Sequence, residues 1–155
     1  LNAAGRMQAE ALAVQLIGGS FAGLYSSDLL RARETDEIIG CKLGLLVHLD
    51  ARLREIHRGE WEGMLGAEVT EHYPEAWAFH APGGESMAEV AIRVWAVADE
   101  ISHRHPGGQV LVVSHGLALS TLICRVRSLP LIQTYELIPV KVHPEMIEWS
   151  PHPSS

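Results

Sequence analysis

Apolar and polar positions follow two periods along this chain, and the switches between them mark its elements. Over 2–17, Ala9, Leu12, Ala13, Leu16 and Ile17 recur at helical spacing, and Gly18-Gly19 then stop the pattern. Residues 22–26 predict a short strand. Asp28 stands where a helix cap is needed, and Leu29, Ala32, Ile39 and Leu43 trace the inner stripe of a second helix running to about residue 43. Asp36 interrupts that stripe. Residues 45–49 predict another strand.

Further along the pattern loosens before it sharpens again. Gly59, Gly63 and Gly66, set among charges and Trp61, mark 53–65 as an ordered loop that carries function. Short helical pieces over 67–80 are broken at Pro74. Pro82-Gly83-Gly84 turns the chain, and Ser86-Met87-Ala88-Glu89 reads as a capping box. Met87, Val90, Val94, Val97 and Ile101 line one face of the helix it opens. His105-Pro106-Gly107-Gly108 leads into an apolar strand at 109–114 and a helix from about 117 to 127. A further extended segment is expected over 137–149, confined by Pro144 to an edge or a bulge. Strands alternating with helices predict one three-layer α/β/α domain over 1–150 with a mostly parallel sheet, and a frayed tail at 151–155.

Composition narrows the possibilities. A chain of 155 residues, 47% hydrophobic and 20% charged, is that of a single globular domain. Its longest apolar runs are far too short to span a bilayer. A net charge of −7 argues against a nucleic-acid partner but permits a locally positive pocket for a small anion. Cys41 and Cys124 lack CxxC spacing and are expected to be two buried thiols in a reduced, cytoplasmic protein. No pattern here sets an oligomeric state.

The candidate chemistry begins at Val110-Leu111-Val112-Val113-Ser114-His115-Gly116, an apolar strand ending in a histidine with a helix behind it. Open α/β sheets hold their ligands at such strand ends, and the free amides of the following helix, from Gly116 on, suit an anion. The plainer alternative is that His115 satisfies a loop carbonyl. Arg31, in the first turn of its helix, could grip a phosphate with its guanidinium fork, or be a solvated surface residue like Arg33 and Arg6. Glu55 follows a predicted strand and precedes the glycine-rich loop, where a carboxyl group could protonate a leaving oxygen or pair with Arg52 or Arg54. Glu60 and Glu62 beside Trp61 are equally placed on this evidence. His103 and His105 lack a completing ligand cluster and HExxH is absent, so the histidines are expected in loops, with no metal. Trp61, Tyr73, Trp77 and Phe79 shape a lid over 56–82 or pack the core.

Taken in order, these segments resemble a known family. Leu1-Asn2-Ala3-Ala4-Gly5-Arg6-Met7-Gln8-Ala9 resembles the Leu-Thr-x-x-Gly-x-x-Gln-Ala stretch of the histidine phosphatase superfamily, the phosphoglycerate mutase-like proteins. Ser27-Asp28-Leu29-Leu30-Arg31-Ala32-Arg33-Glu34-Thr35 is similar to its Ser-x-Leu-x-Arg-Ala-x-x-Thr helix start. Leu53-Arg54-Glu55 with Gly59-Glu60-Trp61-Glu62-Gly63 resembles its acid-bearing loop, and Pro82-Gly83-Gly84-Glu85-Ser86 and Val113-Ser114-His115-Gly116 complete the order.

The resemblance implies hydrolysis of small phosphorylated substrates through a phosphohistidine, with no cofactor. It makes Glu55 the acid, His115 the second active-site histidine, Arg31 the phosphate clamp, and the Gly116 amide part of the cradle. The short interval between Glu55 and His115 favours a phosphatase over a phosphoglycerate mutase. The other alternative is a non-catalytic relative that binds a phosphorylated ligand or a protein. Three departures stand out. Arg-His-Gly, which carries the family's nucleophile on a central strand, does not occur in residues 1–155 and is expected just before Leu1. The chain as given is therefore expected to be inactive, with strand 109–114 left as an open edge. Asp36 stands where the family has Ala, and Lys141 and His143-Pro144 stand where it has Asn and an unbroken strand.

Overall fold

Three parallel strands carry the fold. In the computed structural model, which describes residues 1–72, 75, 80–138 and 144–151, β1 (Phe21–Ser26) lies between β2 (Val47–Leu49) and β3 (Gln109–Val113). The register sets Tyr25 opposite His48 on one side and Val112 on the other. The helices are α1 (Ala3–Gln15), α2 (Leu30–Leu43), α3 (Gly66–His72), α4 (Met87–Arg104) and α5 (Gly116–Val126). Each parallel crossover runs through a helix, as its geometry demands.

The pleat sorts the core into layers. Leu24, Val47, Leu111 and Val113 face Ala13 of α1 and Ile39 of α2. Their neighbours Tyr25, Val110 and Val112 face Val97 and Ile101 of α4. A third cluster, including Met87, Val94, Leu117 and Leu122, locks α4 to α5. This is the three-layer α/β/α arrangement. β3 pairs with β1 alone among the described residues. Its apolar side chains are correspondingly half-buried, where Leu24 and Tyr25 of β1 are buried.

The best-patterned helix, α4, begins and packs as read, and α1 begins one residue after the start expected for it. Asn2 caps α1, its Oδ1 accepting the Gly5 amide at 2.8 Å. The capping box of α4 is complete: Ser86 Oγ accepts the Glu89 amide at 3.2 Å, and the Glu89 carboxylate accepts the Ser86 amide at 2.7 Å. All five apolar positions read on this helix are buried. Ser86→Ala removes one half of that exchange and is expected to lower stability by about 1 kcal/mol, measured by urea denaturation. An unchanged midpoint would show that the cap contributes nothing here.

Four readings need correction. Asp28 does not cap α2; its carboxylate grips the Arg54 guanidinium at 2.6 and 2.5 Å, and the cap position passes to Leu29, which is therefore partly exposed. Ile17 lies beyond α1 and is exposed, leaving Ala9 and Ala13 as that helix's buried face. Cys41 is exposed, because it sits two residues past Ile39 and so on the other side of α2; only Cys124 is buried. Of the extended segment, 144–149 forms no strand, and 139–143, with Lys141 and His143, lie outside the described residues. So do Tyr73, Trp77, Phe79 and 152–155. Among the described residues no helix is long and apolar enough to cross a membrane.

Candidate active site

β1 and β3 end side by side, Ser26 in register with Val113, and the Ser27 amide extends the pairing to the Val113 carbonyl at 3.0 Å. From these two ends the chain turns into α2 and α5. His115 occupies the N-cap position of α5 in an extended conformation, its ring almost wholly buried. Its Nε2 lies 2.8 Å from Ser27 Oγ, which also accepts the Leu29 amide at 3.3 Å. Ser27 thus joins the imidazole to the start of α2. No role for it was read from sequence, although its place between a strand end and a helix start is a signal for one. Burial disfavours the imidazolium, Arg31 and Arg93 add to this, and Glu55 and Asp28 oppose it; the balance holds His115 below the ordinary histidine pKa. That direction favours the neutral ring near neutral pH.

Glu55 reaches the same place from the other side. Its Oε2 accepts the Leu117 amide and its Oε1 the Ala118 amide, each at 3.2 Å, and Oε1 also accepts the Ile56 amide at 3.0 Å. The carboxylate therefore occupies two of the helix amides expected for a substrate anion, and the Gly116 amide is the first of α5 left without a partner among the described residues. Neither Arg52 nor Arg54 holds Glu55. Arg52 grips Asp50 and Glu100, and Arg54 grips Asp28. Ser114 Oγ donates to the Leu53 carbonyl at 2.6 Å, which pins the strand end to the segment carrying Glu55.

Arg31 lies in the first turn of α2, exposed, with no carboxylate partner among the described residues. It is near enough to His115 to weaken that ring's proton affinity. A cation held at a helix N-terminus beside a neutral imidazole is a fit for a phosphate group. The other sequence candidates are elsewhere. Arg33 pairs with Glu37 and Arg6 with Glu34 on the outer face of α1 and α2. Glu60 and Glu62 are exposed and bond neither His115 nor α5 among the described residues. His105 Nε2 bonds the buried Tyr25 hydroxyl at 2.9 Å, and His103 Nδ1 lies 2.7 Å from the Asp99 carbonyl. Among the described residues no three His, Cys, Asp or Glu side chains are grouped to hold a metal ion.

The fold that brings these side chains to its strand ends is shared with known proteins. Residues 1–150 match the histidine phosphatase superfamily (branch 1), and the chain belongs to that family. Phosphoglycerate mutase-like protein 4 of Arabidopsis thaliana is 38% identical over 138 residues, which are 82% of this chain and 60% of that protein. Glucosyl-3-phosphoglycerate phosphatase of Mycobacterium tuberculosis is 35% identical over 152 residues, 84% of this chain and 65% of that protein. The structure of the mycobacterial glucosyl-3-phosphoglycerate phosphatase with inorganic phosphate superposes with a TM-score of 0.74 at 33% identity, covering 86% of this chain and 72% of that one. The chain thus spans under two thirds of the length of the curated relatives it matches.

Proposed function

We propose that the whole protein is a phosphatase that hydrolyses phosphomonoesters of small molecules through a phosphohistidine. The observation that carries this reading is the meeting of Arg31, neutral His115, Glu55 and the Gly116 amide at the ends of two parallel strands. In the first step a histidine nitrogen attacks phosphorus, the P–O bond to the alcohol breaks, and the departing oxygen takes a proton from Glu55, which has gained it from solvent on leaving the α5 amides. In the second, water attacks phosphorus and the P–N bond breaks. Glu55 takes a proton from that water, and inorganic phosphate leaves. Arg31, His115 and the Gly116 amide bear on the equatorial oxygens, where charge gathers. Glu55 must loosen its hold on the α5 amides to do this.

Residues 1–155 hold no Arg-His-Gly, and His115 is engaged with Ser27, so on this reading the attacking histidine belongs to a strand beside β3 that lies outside residues 1–155. Residues 1–155 alone are accordingly expected not to turn over p-nitrophenyl phosphate. The whole protein is expected to do so and to yield an acid-labile phosphoprotein on rapid quenching. Phosphate binding without either signal would instead establish a non-catalytic relative. A phosphoprotein formed on residues 1–155 would require a different nucleophile.

A further inference from the structure

We propose that Arg93 of α4 is a positioning residue that sets the place of Glu55 relative to His115, an inference that rests on the phosphatase reading. Arginine has five N–H donors, and here all five are used. Nε donates to Glu85 Oε1 at 2.7 Å; Nη1 donates to the carbonyls of Arg52 and Arg54 at 2.7 and 2.8 Å. Nη2 donates to the Glu55 carbonyl at 3.2 Å and to Glu85 Oε2 at 2.9 Å. Three carbonyls of the stretch that delivers Glu55 are thus satisfied by one side chain of a helix whose other face is packed in the core.

Glu85 completes the clasp. Its Oε2 also accepts the His57 amide at 3.0 Å, and its own amide donates to the His57 carbonyl at 2.7 Å. Just beyond, the 57–59 stretch presses on the 82–84 turn: a Cβ on Gly59, at φ +51, would stand 2.3 Å from the Pro82 carbonyl oxygen, and one on Gly84 2.8 Å from that of His57. Only glycine allows the crossing. Glu55 is therefore held at both ends, its carbonyl by Arg93 and its carboxylate by the α5 amides. Because His115 begins α5, Arg93 fixes the acid against the histidine through one continuous path. Misplacing a reacting group by about 1 Å can cost about a hundredfold in rate. Lysine, with three donors on a single nitrogen, keeps the charge but cannot span the three carbonyls and Glu85.

The test uses the whole protein with Arg93→Lys and Glu85→Gln. Glu85→Gln removes only part of the clasp and stands in if Arg93→Lys fails to fold. An alkyl phosphate needs its leaving oxygen protonated; p-nitrophenyl phosphate scarcely does. Arg93→Lys is expected to lower kcat/KM for glycerol phosphate at least about tenfold more than for p-nitrophenyl phosphate. The Leu117 and Ala118 amides are expected to exchange hydrogen at least about tenfold faster, with the β1 amides unchanged. Equal losses on both substrates, or unaltered exchange at Leu117 and Ala118, would overturn the assignment. If the unaltered protein hydrolyses neither substrate, the phosphatase reading fails, and the exchange arm still decides whether Arg93 holds Glu55.

Discussion

With alanine at position 115, the whole protein is expected to hydrolyse phosphomonoesters at least about a hundredfold more slowly, the usual loss when one donor to the transition state is removed. The imidazole is buried, fixed by Ser27 at 2.8 Å and kept neutral by its surroundings, so its loss has no nearby substitute. Arg31→Ala is expected to cost a similar factor, with a larger share in KM, because its guanidinium, exposed and without a described carboxylate partner, meets the phosphate in the bound substrate as well as in the transition state. Removing Arg31 breaks no described ion pair, so the fold should be untouched, and equal urea midpoints would confirm it. A fall of under about threefold in kcat/KM for both variants would remove this site from the phosphatase reading.

The fold was legible where burial repeats locally. Met87, Val90, Val94, Val97 and Ile101 recur at helical spacing, and the helix they predict is there with its capping box intact. The strand ending before His115 was legible for the same reason. What could not be read was which distant partner each polar group would choose. Asp28 had a local use as a cap and a remote one with Arg54; the two-point ion pair won and the cap moved. Glu55 had neighbouring arginines to pair with and instead bridges to α5, more than sixty residues away in sequence. Arg93 sits among the polar positions of an amphipathic helix, which a periodic pattern marks as solvated. Its role depends on three carbonyls about forty residues upstream that nothing local to it encodes.

Asp36→Ala is expected to stabilise the protein near pH 7 by about 1–3 kcal/mol, the scale of one unsatisfied buried polar group. The carboxylate lies inside α2 between Ala32 and Ile39, with 1% of its surface exposed, and its Oδ2 has no hydrogen-bond partner among the described residues. Burial lifts its pKa above the ordinary aspartate value even though the Ser26 hydroxyl helps the charged form. The neutral acid fits better than the anion: its O–H can donate to Ser26 Oγ while Ser26 donates to the Ser27 carbonyl at 3.1 Å. A folded pKa raised above the unfolded one means that the native state binds this proton more tightly. The group's contribution is therefore fully present below the unfolded value, near about pH 3.9, and is lost as pH climbs through the folded value. The advantage of Asp36→Ala over the unaltered chain should grow across that window and then level off. Urea denaturation of both proteins at about pH 4 and about pH 7 reads the difference directly. A variant less stable than its parent at the higher pH would mean that the anion has a stabilising partner after all. Ser26 adjoins Ser27, which holds His115, so a concurrent fall in turnover would show that the buried carboxylate trades stability for the placement of the site.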